Sequence, residues 1–128
     1  MDNRHLKKEI YLEQLNQAII SVEMVFNQLN RLSNNNDINQ QYIVKDLMRT
    51  RFQLELSLAS LCIILRKMNE NAFLQLHPER RKDINSIIHS NKFEFNDEHY
   101  IYVYSQKGKE DVNLLELIDY AKSFLKEI

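Results

Sequence analysis

Apolar residues recur at steps of three and four through the first half of the chain. Leu12, Leu15, Ile19, Val22, Phe26 and Leu29 fall on one stripe of a helix predicted over residues 5–32, and Ile20, Met24 and Val25 are expected to broaden it. A broad face suits packing against two partners better than a narrow two-stranded seam. The run Ser33-Asn34-Asn35-Asn36-Asp37 breaks the pattern, because short polar side chains compete for backbone hydrogen bonds and favour turns. A short connection there makes the flanking helices antiparallel neighbours. A second helix is predicted over residues 39–68, with a stripe of Ile43, Leu47, Leu54, Leu58, Leu61 and Leu65. Between Leu54 and Leu65 it is apolar nearly all round, which places it at the centre of a bundle or under the cover of another subunit.

Residues 69–77 read as a connection anchored by Phe73, Leu74 and Leu76. Pro78 then suits the first position of a third, shorter helix, with Glu79 favourable at the positive end of its dipole and Ile84, Ile87 and Ile88 as its apolar face. The period next changes from helical to alternating. Phe93-Glu94-Phe95 and Tyr100-Ile101-Tyr102-Val103-Tyr104 are β-prone and flank Asn96-Asp97-Glu98, which predicts a small hairpin leaning on the helices. Gly108 marks a turn. Asn113-Leu114-Leu115-Glu116 matches a capping box that opens a last helix, whose buried face is Leu114, Leu117, Ile118, Ala121, Phe124, Leu125 and Ile128. The expected fold is an all-α antiparallel bundle of four to five helices, with a small β-like hairpin before the last helix, in a single domain over residues 1–128.

Composition narrows the picture. The chain has one Gly and one Pro, too few turn residues for a sandwich or barrel. With 17 basic and 18 acidic residues the net charge is −1, so no global field draws it to nucleic acid or anionic membrane. The longest apolar runs fall short of a membrane span and no signal peptide is visible, which points to the cytoplasm and away from a membrane. The lone Cys62, inside Leu61-Cys62-Ile63-Ile64-Leu65, excludes an intramolecular disulfide and reads as a buried, inert thiol. Arg49, Arg51, Arg66 and Lys67 flank the apolar section as solvated ends with buried stems.

Candidate chemistry is sparse. His5, His77, His89 and His99 hold no pair at the spacing of a helical metal site, the single Gly excludes a Gly-rich phosphate loop, and no metal or other cofactor is implied. The alternating tyrosines could stack bases, although tyrosines that face core and solvent in turn are the commoner case. One local arrangement stands out. Asn85 and His89 lie four apart on the third helix and share a face, and the helix C-terminus favours a protonated imidazole. A histidine there can act as acid or base near neutral pH, or simply end a helix.

The stretch Ile84-Asn85-Ser86-Ile87-Ile88-His89, with the β-prone segment and the capped helix that follow, resembles the C-terminal part of HEPN domains (higher eukaryotes and prokaryotes nucleotide-binding), especially those of abortive-infection and toxin–antitoxin proteins. The resemblance covers about residues 78–128. It implies a helical bundle that commonly dimerises and, in active members, a metal-independent ribonuclease in which an Arg-Asn-x-x-x-His motif from both protomers meets at the interface. In that scheme His89 handles protons at the ribose 2′-hydroxyl, beside Asn85. The motif's arginine position holds Ile84. With the looser spacing of the family, only Lys82 in that window is basic; it shares a face with His89 about two turns, or roughly 10 Å, away and lacks the two-pronged grip of arginine. Arg80 and Arg81 are out of register. The tyrosine that some toxin members carry two residues after the histidine is replaced by Asn91. Three readings follow. The first is a HEPN-like dimeric domain of defence or toxin–antitoxin type, impaired in catalysis and acting through RNA or a cognate protein partner. The second is an active ribonuclease with His89 as catalyst and a cation from Lys82, Arg81 or another helix. The third is an unrelated helical interaction or inhibitor protein.

Overall fold

The computed structural model describes residues 3–33, 40–90, 92–95, 100–105 and 108–126. Four helices, α1 (Asn3–Ser33), α2 (Gln40–Glu70), α3 (Pro78–Ile88) and α4 (Leu114–Leu125), surround one hydrophobic core; three strands, β1 (Lys92–Phe95), β2 (Tyr100–Ser105) and β3 (Gly108–Asn113), stand between α3 and α4. The expected helical bundle is the observed architecture. The expected turns at Asn34–Asp37 and Asn96–Glu98 lie outside the described residues, as do Asn91, His99 and Ile128.

α1 and α2 run antiparallel. Arg4, at the start of α1, donates to the carbonyls of Asn71 and Ala72 just beyond the end of α2, at 2.9 and 3.3 Å, and Lys7 donates to Asn71 Oδ1 at 2.9 Å. The guanidinium of Arg4 also lies 4.6 Å from the ring centroid of Phe73. The inner stripe of α1 (Leu15, Ile19, Val22, Phe26, Leu29) meets Leu54, Leu58, Leu61 and Leu65 of α2 in the core, and Leu12 packs against its edge. Ile20 and Met24 depart from the expected broad stripe. They are exposed, because each lies roughly opposite the buried row on the helical wheel; Val25 alone of the three packs on the core.

α2 ends in a Schellman motif. The Ala72 N–H bonds the Asn69 carbonyl at 3.1 Å and the Phe73 N–H bonds the Met68 carbonyl at 2.9 Å. The position that glycine usually fills holds Ala72, at φ 60°. A Cβ in this left-handed region costs about 1–2 kcal/mol, partly offset by the extra unfolded-state entropy glycine would bring. Ala72→Gly is therefore expected to stabilise the protein by about 0.5–1 kcal/mol, raising Tm by a few degrees in a calorimetric scan. An unchanged or lower Tm would contradict the strain.

The connection to α3 is held by side chains. Asn69 Oδ1 accepts from the Leu76 N–H at 3.0 Å, and the Tyr120 hydroxyl accepts from the His77 N–H at 3.0 Å, which pins the start of α3 to α4. Pro78 occupies the opening of α3 as expected, and Ile84 and Ile87 are its buried residues. The sheet is an antiparallel meander in the order β1-β2-β3. Its third strand was not expected: Gly108, read as a turn, opens β3 opposite Ser105 with φ 117°. β3 is polar, with only Val112 buried, so it carries little β-prone signal; its backbone pairing with β2 and the inward turn of Val112 and Glu110 define it. Asn113 caps α4 as predicted, its side-chain oxygen accepting from the Glu116 N–H at 3.1 Å. Lys122 Nζ reaches Glu23 of α1 at 2.9 Å and fastens α4 across the bundle.

Candidate functional site

Two regions qualify: the C-terminal end of α3, singled out by the sequence, and the outward face of the α1–α2 pair. At the first, His89 forms the C-cap of α3 with φ −97° and ψ 11°, and its N–H donates to the Asn85 carbonyl at 3.0 Å. Asn85 and His89 therefore share a face, as the spacing required. His89 and Lys82 are exposed and Asn85 is half-buried. Among the described residues none of these three side chains makes a hydrogen bond or ion pair, so no described partner fixes the orientation of the imidazole. Ile84, at the position of the motif arginine, is fully buried at 0% exposure. Its direction is set by the helical period: 84 and 87 are three apart and both face the core.

Arg80 bridges α3 and α4, with Nη1 2.9 Å from Asp83 and Nη2 3.2 Å from Glu116, and Arg81 is exposed. Ser86 Oγ donates to Glu110 of β3, which ties α3 to the sheet. Burial pushes the Asp83 carboxyl above its ordinary range; Arg80 opposes this and Glu110 adds to it. An acid whose folded pKa is raised binds protons more tightly when folded. Its penalty is full above the folded pKa and vanishes as pH falls toward the unfolded value near 3.8. Asp83→Asn removes the penalty while keeping an oxygen for Arg80. The variant should thus gain stability relative to wild type as pH rises from 4 to 7 in urea titrations; a difference that stays flat would show that Arg80 fully compensates the burial.

Cys62 lies beneath this cluster, fully buried, its thiol pushed up by burial and then by Asp83. It is protonated and inert, as its sequence context indicates. The described histidines lie apart: His5 sits 3.2 Å from Glu9 in the first turns of α1, His77 lies 5.7 Å from the ring of Tyr120, and His89 ends α3. Among the described residues no group of three or more His, Cys, Asp or Glu is placed to hold a metal ion. Of the basic residues flanking the apolar part of α2, Arg66 pairs with Glu70 at 3.2 Å and Arg49 and Arg51 are exposed. In the tyrosine segment Val103 is buried and Tyr104 half-buried; the side chains of Tyr100 and Tyr102 lie outside the described set.

The second region was half anticipated: the sequence reading gave the extra apolar face of α2 either to the bundle centre or to another subunit, and took Ile20 and Met24 of α1 for part of the inner stripe. α1 exposes Leu6, Ile10, Ile20 and Met24, the last at 66%, on the side opposite its buried stripe. α2 does the same with Phe52 at 59%, Leu56 at 55% and Ile63. Leu56 and Ile63 are the residues that made α2 look apolar all round. The helix is therefore not at the centre of the bundle but has one face on the core and one on solvent. Between the two outer stripes runs an open groove, with Gln14, Gln17 and Ser21 on one wall and Leu56, Ser57 and Ser60 on the other. Burial of Glu55 beside this stripe raises its carboxyl above the usual range. A signal for the face existed in the sequence: Leu6/Ile10, Ile20/Met24 and Phe52/Leu56 are i, i+4 apolar pairs out of phase with the core stripe.

Comparison with protein-family models, with curated proteins and with solved structures gives no match. Among the described residues no helix is long and apolar enough to cross a membrane.

Proposed function

We propose that this chain is a HEPN-like helical domain, cytoplasmic and without catalytic activity, that acts by associating with another protein surface. The observation that carries the reading is the double-sided character of α1 and α2. Apolar side chains that cost free energy in water are retained along their outer face, although the inner face already supplies a complete core. The end of α3 supports it from the other side. An exposed imidazole with no hydrogen-bond or ion-pair partner among the described residues, next to a buried isoleucine where a phosphate-gripping arginine is needed, is a poor match to the preorganised charge that phosphodiester cleavage demands. The association reading does not depend on HEPN ancestry, and an unrelated interaction protein with these surfaces would act the same way.

The test is a metal-free RNA degradation assay of wild type and His89→Ala. Neither protein is expected to cleave, and equal cleavage by both would mark a copurifying nuclease. Cleavage by wild type that disappears in His89→Ala would overturn the proposal.

A further inference from the structure

We infer that the outer α1–α2 face takes an acidic amphipathic helix of a partner protein, laid lengthwise in the groove between the two helices. The inference rests on the association reading and gives the chemistry of its partner.

The shape admits a helix. The groove follows the antiparallel pair over residues 13–21 of α1 and 56–64 of α2, about 12 Å of helix. Ala18, Ser21, Ser57 and Ser60 line it, so a third backbone can come close. Exposed apolar side chains continue the track beyond it, Met24 and Phe52 at one end and Ile10 at the other. A helix with apolar residues at i, i+3 or i+4, and i+7 fits such a track.

Charge chooses the occupant. Positions two turns apart share a helical face, so spacing tells which charges stand on the outer stripes. Arg31 lies seven residues after Met24, Lys45 seven before Phe52, Arg49 seven before Leu56, and Lys67 four after Ile63. All four are exposed, and none has an ion-pair partner among the described residues. The acids on the same stripes are engaged on their own helix: Glu9 by His5 at 3.2 Å, Glu13 by Gln17 at 3.3 Å and Glu70 by Arg66 at 3.2 Å. With these and Arg66 counted, the stripes hold five cations to three carboxylates. The other acids of the pair stand off the stripes. Glu23 is one residue before Met24 and is held by Lys122; Glu55 is one residue before Leu56 and Asp46 one after Lys45, each about 100° round the helix. Unmatched positive charge thus borders exposed apolar side chains, although the whole chain has a net charge of −1. A helix whose apolar stripe is flanked by Glu or Asp matches both features.

An anionic bilayer offers the same charge but a poorer contact. Gln14 and Gln17 line the groove beside the serines, and their amides need hydrogen-bond partners that acyl chains lack and a peptide supplies.

The experiment titrates the full chain into two fluorescently labelled synthetic peptides and follows anisotropy. Each peptide is about three heptads long with Leu at the a and d positions, and the flanking e and g positions are Glu in one and Lys in the other. The Glu peptide is expected to bind with Kd on the order of 10–100 µM and the Lys peptide at least ~10-fold more weakly. Because the chain is net acidic, non-specific attraction would give the opposite order. Leu56→Glu is expected to weaken the Glu peptide at least ~10-fold with unchanged circular dichroism, and Lys45→Glu/Arg49→Glu to reverse the preference. Equal binding of the two peptides, a preference for Lys, no binding of either at about 1 mM, or binding indifferent to Leu56→Glu would each overturn the inference. Phosphatidylserine vesicles are expected not to sediment the protein; Leu56-dependent sedimentation would assign the face to a lipid surface and overturn it too. These outcomes are separate from failure of the association reading, which shows as His89-dependent RNA cleavage.

Discussion

Ile84→Arg, the substitution that restores the missing arginine of the resembled motif, is expected to destabilise the protein by at least about 4 kcal/mol and to yield no nuclease. Position 84 is buried in the core shared by α2, α3 and the sheet. A guanidinium there is taken out of water, and the nearest acid in sequence, Asp83, is already engaged by Arg80. An uncompensated buried charge, added to the loss of isoleucine packing, is among the costliest single changes a domain can suffer. Urea unfolding followed by circular dichroism measures the cost. A variant as stable as wild type that also cleaves RNA would mean that position 84 faces a groove and that the absence of arginine there is the sole defect of a working site.

The second large effect separates the two faces of α2. Leu61→Ala is expected to cost about 2–5 kcal/mol, because Leu61 is fully buried and its neighbours close only partly over the lost volume. Leu56→Ala, five residues earlier on the same helix, is expected to change monomer stability by less than about 0.5 kcal/mol, since its side chain faces solvent. Both are to be read by urea denaturation at a dilution where any dimer has dissociated. Comparable losses for the two would show that Leu56 is covered within the monomer and that the outer face does not exist.

Much of the fold was legible because the local signals agreed with one another. The helical period of Leu15, Ile19, Val22, Phe26 and Leu29, the proline at the start of α3 and the Asn113 cap each specify one local geometry, and all are met. The strand β3 was not legible. Lys109, Glu110 and Asp111 carry no β preference, and their extended form comes from pairing with β2 and from the anchor of Val112, both of which are tertiary. The candidate site divides in the same way. The shared face of Asn85 and His89 follows from spacing alone. Whether the imidazole is oriented depends on what the rest of the chain brings near, and among the described residues no hydrogen-bond or ion-pair partner reaches its side chain. The outer face was misread for a further reason. Periodicity tells that Ile20, Met24, Leu56 and Ile63 are apolar and where they point relative to one another. It does not tell how many sides of a helix the remaining elements cover. With α3, the sheet and α4 gathered on one side of the α1–α2 pair, the apolar residues of the other side are left in water.

The most direct test sets the two faces of the long helices against each other in one sample. In methyl NMR spectra recorded with a soluble paramagnetic probe, the Met24, Leu56 and Ile63 signals should be strongly broadened while those of Leu15, Leu61 and Leu65 stay sharp. Outer-face methyl signals as protected as those of Leu61 in monomeric protein would contradict the account, because the face would then be covered within the chain.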